Sequence, residues 1–234
     1  METSAAISII IPTYNESEYI GSLIRYLKFH SPRNIQIIVS DGGSTDNTIS
    51  IASKEGAKVV RSDKKGRASQ MNYGASFASF DILYFVHADC FPPKNFYTKI
   101  INAINKDYTL GRFQTKFDSD SLLLKINAFF TRFDWFVCTG GDQTLFFKTQ
   151  IFKKINGYND DLILMEDFDI VKRARKDYRY AVLKDKVLVS ARKYSSNSWL
   201  RVQRAHHTII KMYRSGERQE TLVKKYKQLL KYRY

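Results

Sequence analysis

The first half of the chain alternates short apolar runs with amphipathic segments. Continuous β-branched and apolar runs predict buried strands at residues 7–11, 35–39, 57–60 and 81–86. The apolar residues between the first two runs recur at helical spacing, at Ile20, Leu23, Ile24 and Leu27. A helix of small residues is predicted over 67–79, able to pack close to a sheet. This alternation predicts an α/β fold with a mostly parallel central sheet flanked by helices.

The second half of the chain is less regular. Strands are predicted at 111–117 and 142–148, and a late strand or hairpin at 180–191. The apolar segment 121–136 predicts a helix, and we expect its aromatic residues, 129–136, to lie in the core. A further helix over 165–176 begins with acidic residues, which complement the helix dipole.

The C-terminal tail differs from the rest of the chain in charge. Residues 199–234 contain ten Lys or Arg against two Glu, a net charge of +8 out of +15 for the whole chain. An amphipathic helix is predicted there by an apolar stripe, Leu222, Val223, Tyr226, Leu229 and Leu230. The pattern therefore predicts a main domain over 1–198 and a basic helical extension over 199–234, packed on that domain or on a membrane surface.

Composition narrows the class of protein. A hydrophobic content of 44% supplies enough apolar side chains for a globular core, and no apolar run approaches the length of a membrane-spanning helix. The N-terminus has neither the positive region nor the cleavage site of a signal peptide, and two cysteines cannot form a disulfide framework. These features predict a cytoplasmic protein, with a peripheral membrane position as the alternative.

Polar and small residues follow three of the predicted strands directly. They are the segments 12–16 (PTYNE), 41–46 (DGGSTD) and 87–89 (HAD). In open parallel sheets ligands bind beyond the carboxyl ends of the strands, so these three segments predict one site. The high positive charge favours a phosphate-bearing partner. Neither a G-x-G-x-x-G turn nor a Walker lysine motif is present, which argues against dinucleotide and P-loop sites.

Six motifs in chain order carry a family resemblance: IIIPTYNE, VSDGGSTDNT, GRASQMNYGA, VHAD, TGGDQ and LMEDFD. Together they resemble family 2 glycosyltransferases of the GT-A fold, and in detail the small bacterial subgroup often labelled arsenosugar-biosynthesis-type glycosyltransferases. The resemblance implies an inverting, hexosyltransferase-type enzyme that moves a sugar from a nucleotide-diphosphate donor, a UDP- or GDP-sugar, to an acceptor hydroxyl. It also implies a divalent cation, Mg²⁺ or Mn²⁺, as cofactor.

The resemblance assigns the donor site to three strand ends and one helix start. The nucleotide-sugar-binding residues are Pro12, Tyr14, Asn15, Glu16, Asp41, Gly42, Gly43, Arg67, His87, Ala88 and Asp89. Asp89 takes the last position of the family's D-x-D signature and is the implied metal ligand, but His87 replaces the first aspartate. His87 therefore has two interpretations, a contact to nucleotide or metal and a structural histidine.

Catalysis is assigned by the same resemblance to the Glu166–Asp167 pair, with Asp167 as the general base. The acceptor and donor-sugar pocket is assigned to Gly140, Gly141 and Asp142, and the diphosphate contact to Arg192. Each motif also has a plain structural interpretation. DGGSTD and TGGDQ are compatible with ordinary turns, Asp46 with a helix cap, Glu166–Asp167 with an acidic helix start, and Arg67 with a solvated basic surface.

Other classes of function remain as alternatives at this point. A nucleotidyltransferase would need a lysine-rich glycine loop after the first strand, which is absent. A non-catalytic glycosyltransferase-like protein that binds nucleic acid or membrane is suggested by the charge alone. No nucleic-acid-binding motif is recognisable, so no nucleic acid partner is expected. The acceptor is unassigned, and a lipid-linked acceptor follows if the basic extension contacts an anionic membrane.

Overall fold

A computed structural model describes residues 6–31, 35–64, 66–135 and 143–231. The strands are β1 (Ile7–Thr13), β2 (Ile35–Asp41), β3 (Lys58–Arg61), β4 (Ile82–Phe85), β5 (Cys90–Phe91), β6 (Leu110–Phe117), β7 (Leu145–Lys148) and β8 (Tyr180–Val189). The helices are α1 (Ile20–Phe29), α2 (Thr48–Lys54), α3 (Arg67–Ser76), α4 (Phe96–Asn105), α5 (Leu122–Phe130), α6 (Thr149–Lys154), α7 (Glu166–Ala174), α8 (Arg192–Ser195), α9 (Trp199–Arg214) and α10 (Gln219–Leu229).

The strands form one sheet in the order β3-β2-β1-β4-β7-β6-β8-β5. Strands β1 to β4 pair in parallel, as do β6 and β8, whereas β7 runs antiparallel to both β4 and β6. The short β5 pairs antiparallel with β8 at the edge. The prediction of a mostly parallel central sheet is therefore confirmed, with β7 and β5 as the reversed strands.

Helices cover both faces of the sheet, as the fully apolar strands require. In β1, Ile9 and Ile11 belong to the core cluster that includes α1 and α4, while Ile10 packs in the opposite cluster with α3 and α7. The small-residue character of α3 permits a close approach to the sheet, because a Cβ on Gly74 would lie 2.7 Å from Ile10 Cγ2. Residues in α3 are thereby held near the ends of β1 and β2.

The basic extension forms a helical hairpin that packs on the rest of the chain. Leu222 of α10 is fully buried in a cluster with Met165, Phe168 and Ile209, and Leu230 is buried against Val202 of α9. The Gln219 side-chain oxygen accepts hydrogen bonds from the Ile163 and Leu164 amides at 3.1 and 3.0 Å. Leu222 and Leu230 of the tail's apolar stripe are consequently buried, while Val223, Tyr226 and Leu229 are half-buried. Within the described residues, the helices fall short of the length and apolarity that crossing a bilayer requires.

The expectation that the aromatic segment 129–136 lies in the core is wrong for several of its residues. Phe129, Phe130 and Trp135 are 47%, 43% and 54% exposed, and Phe136 lies outside the described residues. Only Leu124 of α5 is buried. Helical periodicity indicates that one face is apolar, but the neighbours of that face depend on tertiary packing.

Candidate functional site

The carboxyl ends of β1, β2 and β4 meet at one edge of the sheet, as predicted. Thr13, the last residue of β1, pairs with Asp41, the last residue of β2. On the other side of β1, Ile10 pairs with Phe85, and the Val86 amide donates to the Ile10 carbonyl at 3.0 Å. The segments 12–16, 41–46 and 87–89 therefore start from adjacent strands and line the same edge.

Asp41 organises the loop that follows β2. Its carboxylate is fully buried and accepts hydrogen bonds from the Gly43 and Ser44 amides at 2.9 and 2.8 Å, and from the Thr13 hydroxyl at 3.2 Å. Gly43 adopts φ +95°, a backbone conformation that L side chains rarely take, and no heavy atom would lie within 4 Å of a Cβ there. The loop thus turns sharply away from the strand and leaves open space beside Gly43.

Hydrogen bonds join the loop after β1 to the loop after β2. Asn15, at a left-handed φ of 54°, accepts a hydrogen bond from the Thr45 amide at 2.8 Å and donates its own amide to the Ser44 hydroxyl at 2.8 Å. The Glu16 amide donates to the Thr48 hydroxyl at 2.8 Å. Tyr14 is 45% exposed beside them. The two loops therefore form one rigid unit with a polar and aromatic surface.

Gln70 of α3 ties the same two strand ends together, a role that the sequence did not assign to it. Its side-chain amide is buried and donates to the Thr13 and Ser40 carbonyls at 2.6 and 3.0 Å. A Cβ on Gly42 would lie 2.9 Å from the Gln70 amide, so Gly42 is small in order to admit Gln70. The sequence feature that could have pointed to Gln70 was an uncharged polar residue in a helix rich in small residues.

Arg192 bridges two acidic residues across the edge of the sheet. Its guanidinium donates to both Glu16 carboxylate oxygens at 2.8 and 2.7 Å, and Nε lies 2.9 Å from the Asp89 carboxylate. The ring of Tyr19 lies 5.2 Å below the guanidinium carbon. Partial burial lowers the pKa of Arg192, but the hydrogen bond to Glu16 and the charge of Asp89 outweigh it, and the net effect raises that pKa. Arg192 is a fixed cation at the place where a diphosphate was expected.

Strand pairing places Arg192 there. Cys90 pairs with Val189 of β8, and the Ser190 amide donates to the Asp89 carbonyl at 3.2 Å. The segment that leads into α8 is thus anchored beside Asp89. His87 is half-buried and Ala88 is buried in the same turn, and the His87 carbonyl accepts the Cys90 amide at 3.0 Å.

The carboxylates at this edge suit a cation that is held partly by the protein and partly by oxygen atoms of a bound molecule. Asp89 is 15% exposed and presents hard oxygen ligands of the kind that Mg²⁺ and Mn²⁺ prefer. In the described part of the chain, no three His, Cys, Asp or Glu side chains gather closely enough to form a metal cage. Sites for Mg²⁺ commonly combine one or two carboxylates with phosphate oxygens, which matches a single protein ligand at Asp89.

Glu166 and Asp167 start α7, and both are buried, at 1% and 5% exposure. The residue before them, Met165, has a left-handed φ of 71°. Such backbone is costly for a non-glycine residue and persists only where surrounding contacts impose it, which is common at functional sites. Met165 itself packs in the cluster with Phe168 and Leu222. The tail hairpin therefore helps to fix the start of the acidic helix.

Arg67 connects the acidic pair to the helix that contacts the carboxyl ends of β1 and β2. It is the first residue of α3, and its guanidinium lies 2.6 Å from Glu166 Oε1. Gln70, one turn further along α3, contacts the ends of β1 and β2. One helix turn thus links the strand ends to Glu166, and Arg67 is paired with a buried carboxylate while its own side chain is 38% exposed.

Tyr158 is a further member of the acidic cluster that the sequence did not reveal. Its ring is buried at 2% exposure, and burial, followed by the charges of Asp167 and Glu166, raises the pKa of its hydroxyl well above the usual value. Asn72 of α3 holds the Tyr158 backbone through hydrogen bonds at 2.8 and 2.9 Å. The phenol therefore stays protonated beside two carboxylates. Gly140, Gly141 and Asp142, the predicted sugar pocket, lie outside the described residues.

Comparison with known proteins agrees with this geometry. The model of glycosyl transferase family 2 matches residues 8–160. The glycosyltransferase GlyG of Streptococcus pneumoniae is 27% identical over 126 residues, 50% of this chain and 42% of that protein. The dolichol-phosphate mannosyltransferase of Pyrococcus furiosus is 36% identical over 113 residues, 45% of this chain and 32% of that protein. The chain thus aligns with less than half the length of each of these relatives.

Solved structures share the architecture at low sequence identity. Residues 1–349 of Staphylococcus aureus TarS in complex with UDP superpose with a TM-score of 0.65 at 20% identity, covering 80% of this chain and 60% of that one. The mannosyltransferase PcManGT of Pyrobaculum calidifontis, in complex with GDP-Man and Mn²⁺, gives a TM-score of 0.69 at 17% identity, covering 91% and 65%. The predicted GT-A fold is confirmed. Since the family match extends over more than half of the residues, the chain belongs to glycosyl transferase family 2.

Proposed function

We propose that this chain transfers a sugar from a nucleotide-diphosphate donor to an acceptor hydroxyl with inversion at the anomeric carbon. The observation that carries the proposal is the continuous set of contacts from the strand ends through α3 to the buried acidic pair. These contacts link the ends of β1 and β2 to Glu166, and they support a donor site at that edge with the acidic pair close to it. The donors in the two complexes described above, UDP and GDP-Man, make a UDP- or GDP-sugar the class to test.

The donor's nucleoside occupies the edge formed by residues 12–16 and 41–43 in this proposal. Tyr14 supplies an exposed ring for the base, and the open space at Gly43 admits the ribose. The diphosphate lies toward His87, Ala88 and Asp89. Arg192 then exchanges part of its contact with Glu16 and Asp89 for phosphate oxygens, because guanidinium binds both kinds of oxyanion in the same bidentate manner.

Asp89 is the residue that would hold a divalent cation, and PcManGT with bound Mn²⁺ supports that assignment. A bound cation supplies charge neutralisation at the diphosphate, which makes it a better leaving group.

Asp167 is the general base of the proposed reaction. The acceptor oxygen forms a bond to the anomeric carbon as the bond from that carbon to the diphosphate oxygen breaks, and the hydroxyl proton passes to the Asp167 carboxylate. Glu166 is paired with Arg67 at 2.6 Å, so its charge is already neutralised and it serves to position the helix start.

The proposal also covers the division of the chain into two parts and the class of acceptor. Residues 1–198 form the catalytic unit, and the basic extension 199–234 supports the start of α7 through Leu222. The name of the Pyrococcus furiosus relative includes dolichol phosphate, so a phosphorylated lipid is the first acceptor class to test.

A thermal-shift panel tests the donor site directly. Nucleoside diphosphates and nucleotide sugars are each added with Mg²⁺, Mn²⁺ or a chelator to the wild type, to Asp89→Ala and to the matched control Asp177→Ala, an exposed carboxylate at the end of α7. At a hundredfold excess over Kd the cognate nucleotide is expected to raise Tm by about 5–10 °C. The shift should require the cation, persist in Asp177→Ala and disappear in Asp89→Ala. Absence of a shift with every nucleotide would contradict the proposed function.

A further inference from the structure

Helix α5 and the turn after it expose an unusual amount of apolar surface. The large side chains concerned, here called the α5 face, are Leu122 (71% exposed), Leu123 (43%), Ile126 (42%), Phe129 (47%), Phe130 (43%) and Trp135 (54%). In the helix they follow at intervals of one, three and four residues, so they lie on one side. Contiguous apolar surface of this kind marks an interaction site in soluble domains.

The aromatic residues of the α5 face form a connected group. The rings of Phe130 and Trp135 are 6.5 Å apart, and Phe133 stacks on Trp135 with centroids 4.6 Å apart at an interplanar angle of 12°. Phe129 contacts Phe130 edge to face at 5.8 Å. Because each ring supports the next one, the group has a defined shape and presents its surface as a unit.

The fold holds this face in place from below. Arg112 of β6 is 1% exposed, and its guanidinium donates to the Thr131 and Phe133 carbonyls at 2.6 and 3.0 Å. The Thr115 amide donates to the Thr131 hydroxyl at 2.9 Å. A buried arginine is costly to desolvate unless its donors are satisfied, and here Nη1 and Nη2 are satisfied by carbonyls of the turn that follows α5. These contacts therefore hold the α5 face in a defined position on β6.

Positive charge surrounds the α5 face. Arg132 lies over the Phe129 ring at 3.8 Å. Asp120 is paired with Lys125 at 3.3 Å and Asp134 with Arg175 at 2.7 Å. A third neighbouring carboxylate, Asp118, accepts a hydrogen bond from the Ala191 amide. Arg175 brings the C-terminal end of α7 to the same surface, and Lys172 and Lys176 add two exposed cations at that end. On a chain of net charge +15, this arrangement complements an anionic surface.

We propose that the α5 face inserts into the interfacial region of an anionic lipid bilayer. Leucine, isoleucine and phenylalanine side chains would enter the acyl boundary, Trp135 would sit at headgroup depth, and the cations of α7 would contact lipid phosphates. The apolar stripe of α10, the other candidate for such a role, is buried at Leu222 and half-buried at Val223, Tyr226 and Leu229, where α9 and Met165 pack against part of it. The proposal is independent of the transfer chemistry, and its test contains no activity measurement.

Vesicle flotation tests the proposal with the full chain. The vesicles are phosphatidylcholine alone or with about 25% phosphatidylglycerol. The patch variant is Leu122→Glu/Ile126→Glu, two exposed positions where a charge does not disturb the core. The control is Phe29→Glu, which introduces one negative charge, against two in the patch variant, at an apolar residue that is 83% exposed at the end of α1. A second variant, Lys224→Glu/Lys227→Glu, reverses charge on the exposed face of α10.

The wild type and Phe29→Glu are expected to bind anionic vesicles, and Lys224→Glu/Lys227→Glu should bind them somewhat more weakly. The partition coefficient of the patch variant should be lower by about tenfold or more. The chain has two tryptophans, so Trp199→Phe leaves Trp135 as the reporter, and its emission should shift to the blue and be quenched by brominated lipid. Binding that survives in the patch variant and is lost in the α10 variant would overturn the proposal. Self-association that the patch variant abolishes, without vesicle binding, would overturn it too, since a second copy would then cover the face.

Discussion

At the scale of single residues, Asp46 shows how the loops after β1 and β2 are held together. Its carboxylate accepts hydrogen bonds from the Thr48 amide at 3.0 Å and the Ser17 amide at 3.1 Å, and so joins the segments that follow β1 and β2. The sequence suggested Asp46 as a helix cap. In the structure α2 begins at Thr48 with Asn47 at the cap position, so the Asp46 carboxylate receives the first helical amide from one residue further upstream.

Asp46 should make stability depend on pH in the acid range. Partial burial raises the pKa of Asp46, but the hydrogen bonds from Thr48 and Ser17 lower it by a larger amount. The net pKa is about 2, below the ordinary 3.8. Because the folded-state pKa is depressed, its contribution is complete above about pH 4 and is lost as the pH falls toward 2. Solvent exposure of Asp46 reduces that contribution to the order of 1 kcal/mol.

Urea unfolding of the wild type and Asp46→Asn at pH 5, 4 and 3 measures this effect. We expect the free energy of unfolding of the wild type to exceed that of the variant at pH 5 and the difference to shrink as the pH falls. Asp177→Asn, an exposed carboxylate outside the loops, serves as control and should change little at any pH. A difference that is constant from pH 5 to pH 3 would contradict the assignment.

Residue identity indicated which motif residues would lie near one another better than it indicated their partners. Asp41 ends β2, Arg192 contacts Asp89 at the same edge of the sheet, and Arg67 contacts Glu166, while the functional roles of these residues stay predictions. A side-chain partner of Asp41 lies 28 residues away in the chain and one of Arg192 lies 176 residues away, and loop amides also donate to Asp41; no local pattern specifies these partners. Tyr158 and Gln70 were missed for the same reason, because a buried phenol and a buried amide look like ordinary core residues in a sequence.

At the scale of elements, the short pairing of β5 with β8 determines the position of the Arg192 guanidinium. It sets Val189 opposite Cys90 and so brings α8 beside Asp89. The sequence predicted β8 as a strand or hairpin but not its partners, since β8 pairs with β6 in parallel and with β5 in antiparallel orientation. Non-local pairing of this kind leaves no mark in the local hydrophobic pattern.

Removal of the Arg192 guanidinium should change cation binding. In Arg192→Ala, the carboxylates of Glu16 and Asp89 lose their shared partner, so Mn²⁺ added without nucleotide should bind about tenfold more tightly. The nucleoside diphosphate, in contrast, should bind more weakly because its phosphates lose a cation. Electron paramagnetic resonance of free Mn²⁺ measures the first effect and calorimetry the second.

The neighbouring cation gives a matched control for this pair of measurements. Lys193→Ala removes one positive charge from the same short helix without removing the bridge between Glu16 and Asp89. Both affinities should stay close to those of the wild type. Equal or weaker Mn²⁺ binding in Arg192→Ala would mean that Arg192 does not compete for the Asp89 carboxylate.

At the scale of the whole molecule, the two halves of the sheet meet at the site through side chains. Helix α3 belongs to the regular first half, and its first residue pairs with Glu166 from the irregular second half. The regular half was predictable because each of its strands is a continuous apolar run. The arrangement of the second half depends on the reversed strand β7, on the buried Arg112 and on the tail hairpin under Met165, which only the tertiary structure reveals.

The most direct test of the proposed function compares the wild type with Asp167→Asn in the release of nucleoside diphosphate from the donor. The donor is the one that the thermal-shift panel selects, and water serves as acceptor until the natural acceptor is known. The asparagine keeps the size of the side chain but cannot take the proton. We predict an unchanged donor Kd and a rate lower by about 10²–10⁴-fold. Equal rates at equal donor occupancy would contradict the account, because the buried acidic pair would then have no part in the reaction.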